Sequence, residues 1–93
     1  MKVEFENSQK LNGSEIKELD LVDLDKLKGR DIIELETAFR QLYKGYVPVP
    51  AIDMRFQALV AARAAKINPK DLEELDADAF MQVCATVRDF LVK

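Results

Sequence analysis

The sequence predicts a mainly α fold, a small helical bundle with a short N-terminal β-hairpin as a minor α+β element, and three observations carry that prediction. Ala51 to Ile67 is apolar around its whole circumference rather than along one stripe. Two further stretches, Ile32 to Tyr43 and Phe80 to Leu91, each carry a single apolar stripe at helical spacing. Only the first twenty or so residues alternate as a strand does. A helix apolar on two sides is buried between neighbours, so Ala51–Ile67 takes the central place and the two amphipathic stretches pack against it.

The central helix divides its faces by size. At about 100° per residue, Ile52, Phe56, Leu59, Val60 and Ile67 share a bulky face, and Met54, Ala58, Ala61, Ala62 and Ala65 share a nearly opposite one. Asp53 and Gln57 separate them on one side, Arg55 and Lys66 on the other. The alanine face lets a second helix approach closely. A face of this kind open to another subunit reads the same as one covered by the chain's own last helix, so homo-oligomerisation stays open.

In chain order, Lys2 to Glu6 sets Val3 and Phe5 on one side of a strand. Asn12-Gly13 supplies the dipeptide of a tight hairpin turn. Ser14 to Leu21 returns, with its alternation slipping between Ile16 and Leu19, where either a bulge or an early end of the strand is expected. A lone hairpin is marginal in water, so Val3, Phe5, Ile16 and Leu21 should rest on the helices. Asp23 caps a short turn through Lys28, with Leu24 and Leu27 inward and Gly29 as its stop. Asp31 is the expected N-cap of the next helix, with Glu34 completing a capping box. Its inward stripe is Ile32, Leu35, Phe39, Leu42 and Tyr43, and Gly45 ends it.

Tyr46-Val47-Pro48-Val49-Pro50 cannot be helical, because each proline drives the preceding residue to extended geometry. Pro50 opens the central helix and Asp53 favours its positive end. Asn68-Pro69 restarts the chain as a cap followed by proline, with Leu72 and Leu75 on a helix of one or two turns. Asp76 caps the last helix, whose stripe is Phe80, Val83, Cys84, Val87, Phe90 and Leu91. The whole reads as a single domain, 1–93, with a hairpin region at 1–21 and a helical bundle at 23–93.

Composition narrows the chemistry. The chain has 93 residues, 48% of them hydrophobic and 33% charged, which suffices for one core without disulfide staples. A single cysteine excludes an internal disulfide, and the lack of histidine removes the commonest metal ligand and general base. These features, with no span of about 20 apolar residues and no signal-peptide core, lead to the expectation of a cytoplasmic protein that does not enter a membrane. A net charge of −3 with mixed signs gives no pull toward phosphates, so nucleic acid is not expected as a partner.

Asp23, Asp25 and Glu34 fall at the first, third and twelfth positions of an EF-hand loop, but Leu27 replaces a ligand and Lys28 the turn glycine. Asp71, Glu73, Glu74, Asp76 and Asp78 cluster at two helix starts, where each acid has a local electrostatic reason to be. Cys84 lies on an apolar stripe and behaves as a small hydrophobe. Arg63 falls within the bulky face of the central helix and needs a surface-bound head, a carboxylate partner within the chain, or an external acidic ligand, the first two being favoured. No phosphate loop, catalytic triad or Cys-x-x-Cys occurs, so neither enzymatic activity nor a cofactor or metal is expected. Five apolar residues crowd the proline connector: Tyr43, Tyr46, Val47, Val49 and Met54. Core packing accounts for some of them, and tyrosine and methionine are favoured on recognition surfaces, so these five form the candidate partner-binding patch.

The run LDKLKGRDIIELE from Leu24 to Glu36, the alanine-rich central helix and the ending DLEELDADAFMQVCATVRDFLVK resemble the small tail assembly chaperones of long-tailed bacteriophages and prophages. The family's Leu-x-x-Leu-x-x-x-Asp-Phe pattern stands here as Leu72, Leu75 and Phe80, with Ala79 in place of the acid and Asp78 one position earlier. Its closing Val-x-x-Phe-Leu stands as Val87, Phe90 and Leu91, and the resemblance covers about residues 14 to 93. The resemblance implies a non-catalytic protein of the host-cell cytoplasm, absent from the mature virion. Its implied partner is the tape measure protein, kept soluble during tail morphogenesis while tail tube subunits gather on it. A longer form made by ribosomal frameshifting is a family trait on which a protein sequence is silent. The patch residues themselves come from the reading of this chain. Two other classes compete: a generic interaction adaptor or self-associating scaffold using the same patch, and a small transcriptional regulator, which lacks its basic recognition helix here.

Overall fold

A computed structural model describes residues 1–92; Lys93, the last residue of the expected domain, lies outside them. Strands β1 (Lys2–Leu11) and β2 (Ser14–Asp20) lead into helices α1 (Gly29–Leu42), α2 (Met54–Ala65), α3 (Pro69–Leu72) and α4 (Ala77–Leu91). Single 3-10 turns precede α1 at Leu24–Lys26 and α2 at Pro50–Ile52.

The molecule is a small α+β domain, which corrects the expectation of a helical bundle with a minor hairpin. The hairpin is a full structural layer. Val3, Phe5 and Leu19 are buried in the same apolar cluster as the helices, and Leu21, just beyond β2, is fully buried. Ile16 is half-buried against it. β1 runs five residues past the expected end at Glu6, to Leu11. Asn7, Ser8, Gln9 and Lys10 hide the strand from a hydrophobicity pattern, because pairing and side-chain docking hold this segment instead.

Asn12 and Gly13 take positive φ, 53° and 79°, as the two-residue hairpin turn requires. On either side of the irregularity the register is regular: Lys2 faces Asp20 and Val3 faces Leu19, while Gln9 faces Ile16 and Leu11 faces Ser14. Between them β1 runs through Phe5, Glu6, Asn7 and Ser8 where β2 has only Lys17. The irregularity thus falls opposite Lys17, between Ile16 and Leu19, where a bulge or an early end is expected. The extra residues belong to the first strand, however, and the second does not end there. The bulge faces α4. Gln82 Nε2 donates to the Glu4 carbonyl at 2.6 Å. Gln9, 5% exposed, donates from Nε2 to Asp76 Oδ2 at 3.2 Å and accepts the Asp76 backbone N–H at 2.8 Å.

α2 is the central helix, buried without a break from Phe56 to Ala62, and it packs on both α1 and α4. Ala58, Ala61, Ala62 and Ala64 are all buried, in keeping with close helix approach. The helix is shorter than Ala51–Ile67 at both ends. Asp53 caps it, with Oδ1 accepting the Arg55 N–H at 2.8 Å. Lys66 ends it in the left-handed region at φ 61°, with the Ile67 N–H on the Ala62 carbonyl at 3.0 Å. Buried Gln57 donates to the Ala51 carbonyl at 2.7 Å, anchoring the turn before the helix.

Two boundaries differ for related reasons. α1 starts at Gly29, before the expected cap Asp31, because Asp31 reaches back from inside the first turn and accepts the Lys28 N–H at 2.8 Å. Arg63 then finds its carboxylate partners on α1, with Nη1 at 3.5 Å from Asp31 and 3.9 Å from Glu34. Leu42, expected inward, is 62% exposed, since the last turn of α1 extends past its contact with α2. Asp76 precedes α4 without capping it, its carboxylate having turned to Gln9.

Candidate docking groove

The proline connector and the start of α2 bring four exposed large apolar side chains together. Tyr46 is 90% exposed, Ile52 65% and Val49 48%, and Met54 is also exposed. Large apolar side chains on this scale normally leave water on folding unless a partner covers them. The connector is nonetheless held in place. Arg40 donates to the Val47 carbonyl at 3.2 Å, and Val47 is half-buried against the core.

Tyr46, Val47, Pro48, Val49 and Ile52 line one cleft of about 340 Å³, closed at one end by Asp53 and Arg55. On the other side of Arg55 a second cleft of similar volume runs over Tyr43, Ala58, Leu59, Pro69 and Phe80, rimmed by Lys70 and Glu73. A third shares Tyr43, Leu59 and Pro69 with it and reaches Leu42 and Asn68. The second and third clefts overlap at Tyr43, Leu59 and Pro69, whereas the first meets the second at Arg55 alone, so Arg55 stands between the connector cleft and the clefts over Tyr43 and Leu59.

Arg55 is fixed there by local sequence. Asp53, in its cap conformation, turns its carboxylate toward the residue two positions on, and accepts Arg55 Nε at 3.1 Å and Nη2 at 2.9 Å. The guanidinium lies 4.6 Å from the centre of the Tyr43 ring and 5.7 Å from that of Phe39, so the aromatic faces support it from below. Phe39 in turn meets Tyr43 at 5.4 Å and Phe56 edge-on at 5.6 Å, tying the groove floor to the core. The Arg55 guanidinium, above all, holds the Asp53 carboxyl below its usual range; the backbone N–H groups of Arg55 and Phe56 act in the same direction, against partial desolvation.

The five residues of the expected patch divide. Tyr46, Val47 and Val49 share the first cleft. Tyr43 is half-buried and floors the other two, beneath Arg55. Met54 is exposed but lines none of the three, and its carbonyl accepts the Cys84 thiol at 3.6 Å. Leu42, Ile52 and Arg55 were missed as groove residues. Helical periodicity assigns Leu42 and Ile52 to inward faces, and it takes no account of where a helix outruns its neighbour.

Two of the three acids at EF-hand spacing pair with separate cations elsewhere in the chain. Asp23 pairs with Lys66 at 3.5 Å and Glu34 with Arg63. No group of three metal-ligating side chains occurs among the described residues, and no helix among them is long and apolar enough to cross a membrane. Comparison with family models, with curated proteins and with solved structures gives no match.

Proposed function

We propose that this protein is a non-catalytic tail assembly chaperone that binds the tape measure protein of a long-tailed phage or prophage during tail morphogenesis. It would act in the host-cell cytoplasm and be absent from the mature virion. The observation that supports this reading is the set of exposed apolar side chains at Leu42, Val49 and Ile52 beside neighbouring clefts, with Tyr46 almost wholly exposed on a connector that is itself anchored. A groove of this kind suits the apolar stripe of a partner helix, the form in which a long helical chain offers its aggregation-prone surface. The resemblance of residues 14 to 93 to that family supplies the identity of the partner.

The same surface also suits a generic adaptor or self-associating scaffold, and the exposed apolar residues favour that second reading equally until the partner is tested. Co-expression with the tape measure protein from the same gene cluster separates the two. A soluble complex that depends on this chain is the expected result; an insoluble and unbound tape measure protein would leave the adaptor reading. The double substitution Tyr46→Ser and Val49→Ser should weaken the complex at least tenfold, on the order of 1.4 kcal/mol. Its thermal midpoint should stay nearly unchanged, because both side chains are largely in water.

A further inference from the structure

We propose that Arg55 is the specificity-determining residue of the groove, and that the occupant is an amphipathic helix carrying one carboxylate within its apolar stripe. The proposal rests on the docking role given above and adds the chemistry of the partner.

The guanidinium has two hydrogen-bonding edges. Asp53 takes the Nε and Nη2 edge at 3.1 and 2.9 Å. Nη1 donates to nothing among the described residues, and the side chain is about half exposed. The free end therefore sits where the connector cleft meets the cleft over Tyr43 and Leu59, with aromatic rings beneath it. Asp53 accepts three donors in all from Arg55, so its own charge is satisfied and it holds the fork in one orientation. The other cation on this rim, Lys70, already faces Glu73 at 3.7 Å.

A helix laid along this groove removes water from Nη1. A wholly apolar stripe would leave that N–H group unpaired, which opposes binding. A lysine in the stripe would add repulsion. A carboxylate meets the open Nη1/Nη2 end with charge-assisted bonds, and a planar fork already held in place loses little freedom in making them. The groove thus selects a stripe that is apolar on both sides of a single acid.

The test uses the full chain and three synthetic amphipathic helices, identical but for glutamate, glutamine or lysine at the centre of a leucine stripe. Binding is followed by NMR shift mapping and titration. The glutamate peptide should bind about tenfold more tightly than the glutamine peptide and more tightly still than the lysine one. Its shifts should map to Tyr43, Tyr46 and Leu59. Arg55→Gln should abolish the preference for glutamate over glutamine, read as the ratio of the two affinities measured on that variant, and Arg55→Lys should restore only part of it. Thermal melts of both variants show whether the fold is intact. Equal affinities for the three peptides, binding of none, or a preference that survives in Arg55→Gln would overturn the proposal. So would a wild-type dimer that buries the groove and dissociates on Arg55→Gln, because the occupant would then be a second copy. The tape measure protein takes no part in this assay, so its failure to bind would count against the assembly role alone.

Discussion

Cys84 shows how completely environment sets the behaviour of a residue. It is 2% exposed on the inner face of α4, and its thiol donates to the Met54 carbonyl at 3.6 Å. Burial pushes its thiol up to about 11 from 9.0, because the thiolate would lose its water. The folded state therefore holds the proton more tightly than the unfolded chain. That contribution is complete below about pH 9 and is lost as the pH rises toward 11. Urea denaturation from about pH 8 to about pH 11 should show the wild type losing about 1–3 kcal/mol more than Cys84→Ala over the same interval. Parallel curves would mean that the thiolate is accommodated in the fold. Lys66 is the opposite case, a residue whose conformation is imposed on it. A non-glycine side chain at φ 61° is strained, and it is held there by the capping bond from Ile67 to Ala62 and by the start of the next turn.

At the scale of elements, the hairpin and α4 are joined by side-chain amides rather than by apolar contact alone. Gln9 is the centre of that joint. Its amide closes a reciprocal pair with Asp76 and donates a further bond to the Asn7 carbonyl at 3.1 Å, which secures the bulge. Gln9→Ala leaves the Asp76 N–H and the Asn7 carbonyl without these part-buried bonds. It should cost about 1–3 kcal/mol in urea denaturation. Gln82→Ala removes a bond at a more exposed position and should cost less than half as much; equal losses would mean that water replaces the Gln9 amide freely. This joint was hidden in the sequence. A polar segment with a glutamine in it carries no periodic signal, and its partner lies 67 residues away. What local chemistry determines was legible: the Asn-Gly turn, the Asn68-Pro69 restart, the buried alanines of α2 and the non-helical proline connector. Tyr46 and Val49 were legible as candidates for the groove because no periodic face could absorb them. Arg55 was not, because its place depends on Asp53 adopting the cap conformation and on Tyr43 arriving beneath it from another helix.

For the molecule as a whole, the correction from bundle to α+β domain changes what should happen when the chain is cut. Val3, Phe5, Leu19 and Leu21 are at most 7% exposed, and all four bury their side chains in the core shared with the helices. At about 1.5–3 kcal/mol for each such side chain, their removal forfeits something on the order of 6–12 kcal/mol. The total stability of a domain is about 5–15 kcal/mol, so the helices cannot spare the hairpin. Backbone bonds reinforce the coupling, since Leu21 N–H donates to the Met1 carbonyl at 2.8 Å and Asp23 N–H to the Ala64 carbonyl at 3.1 Å. A chain of residues 22–93 should keep much of its helical circular dichroism through local propensity, but melt without a cooperative transition and bind a hydrophobic dye. The intact protein should melt in one step, with the far-ultraviolet signal and the tyrosine signal coinciding. A truncated chain that melts cooperatively near the intact midpoint would show that the helices hold a core of their own, and the hairpin would revert to an accessory.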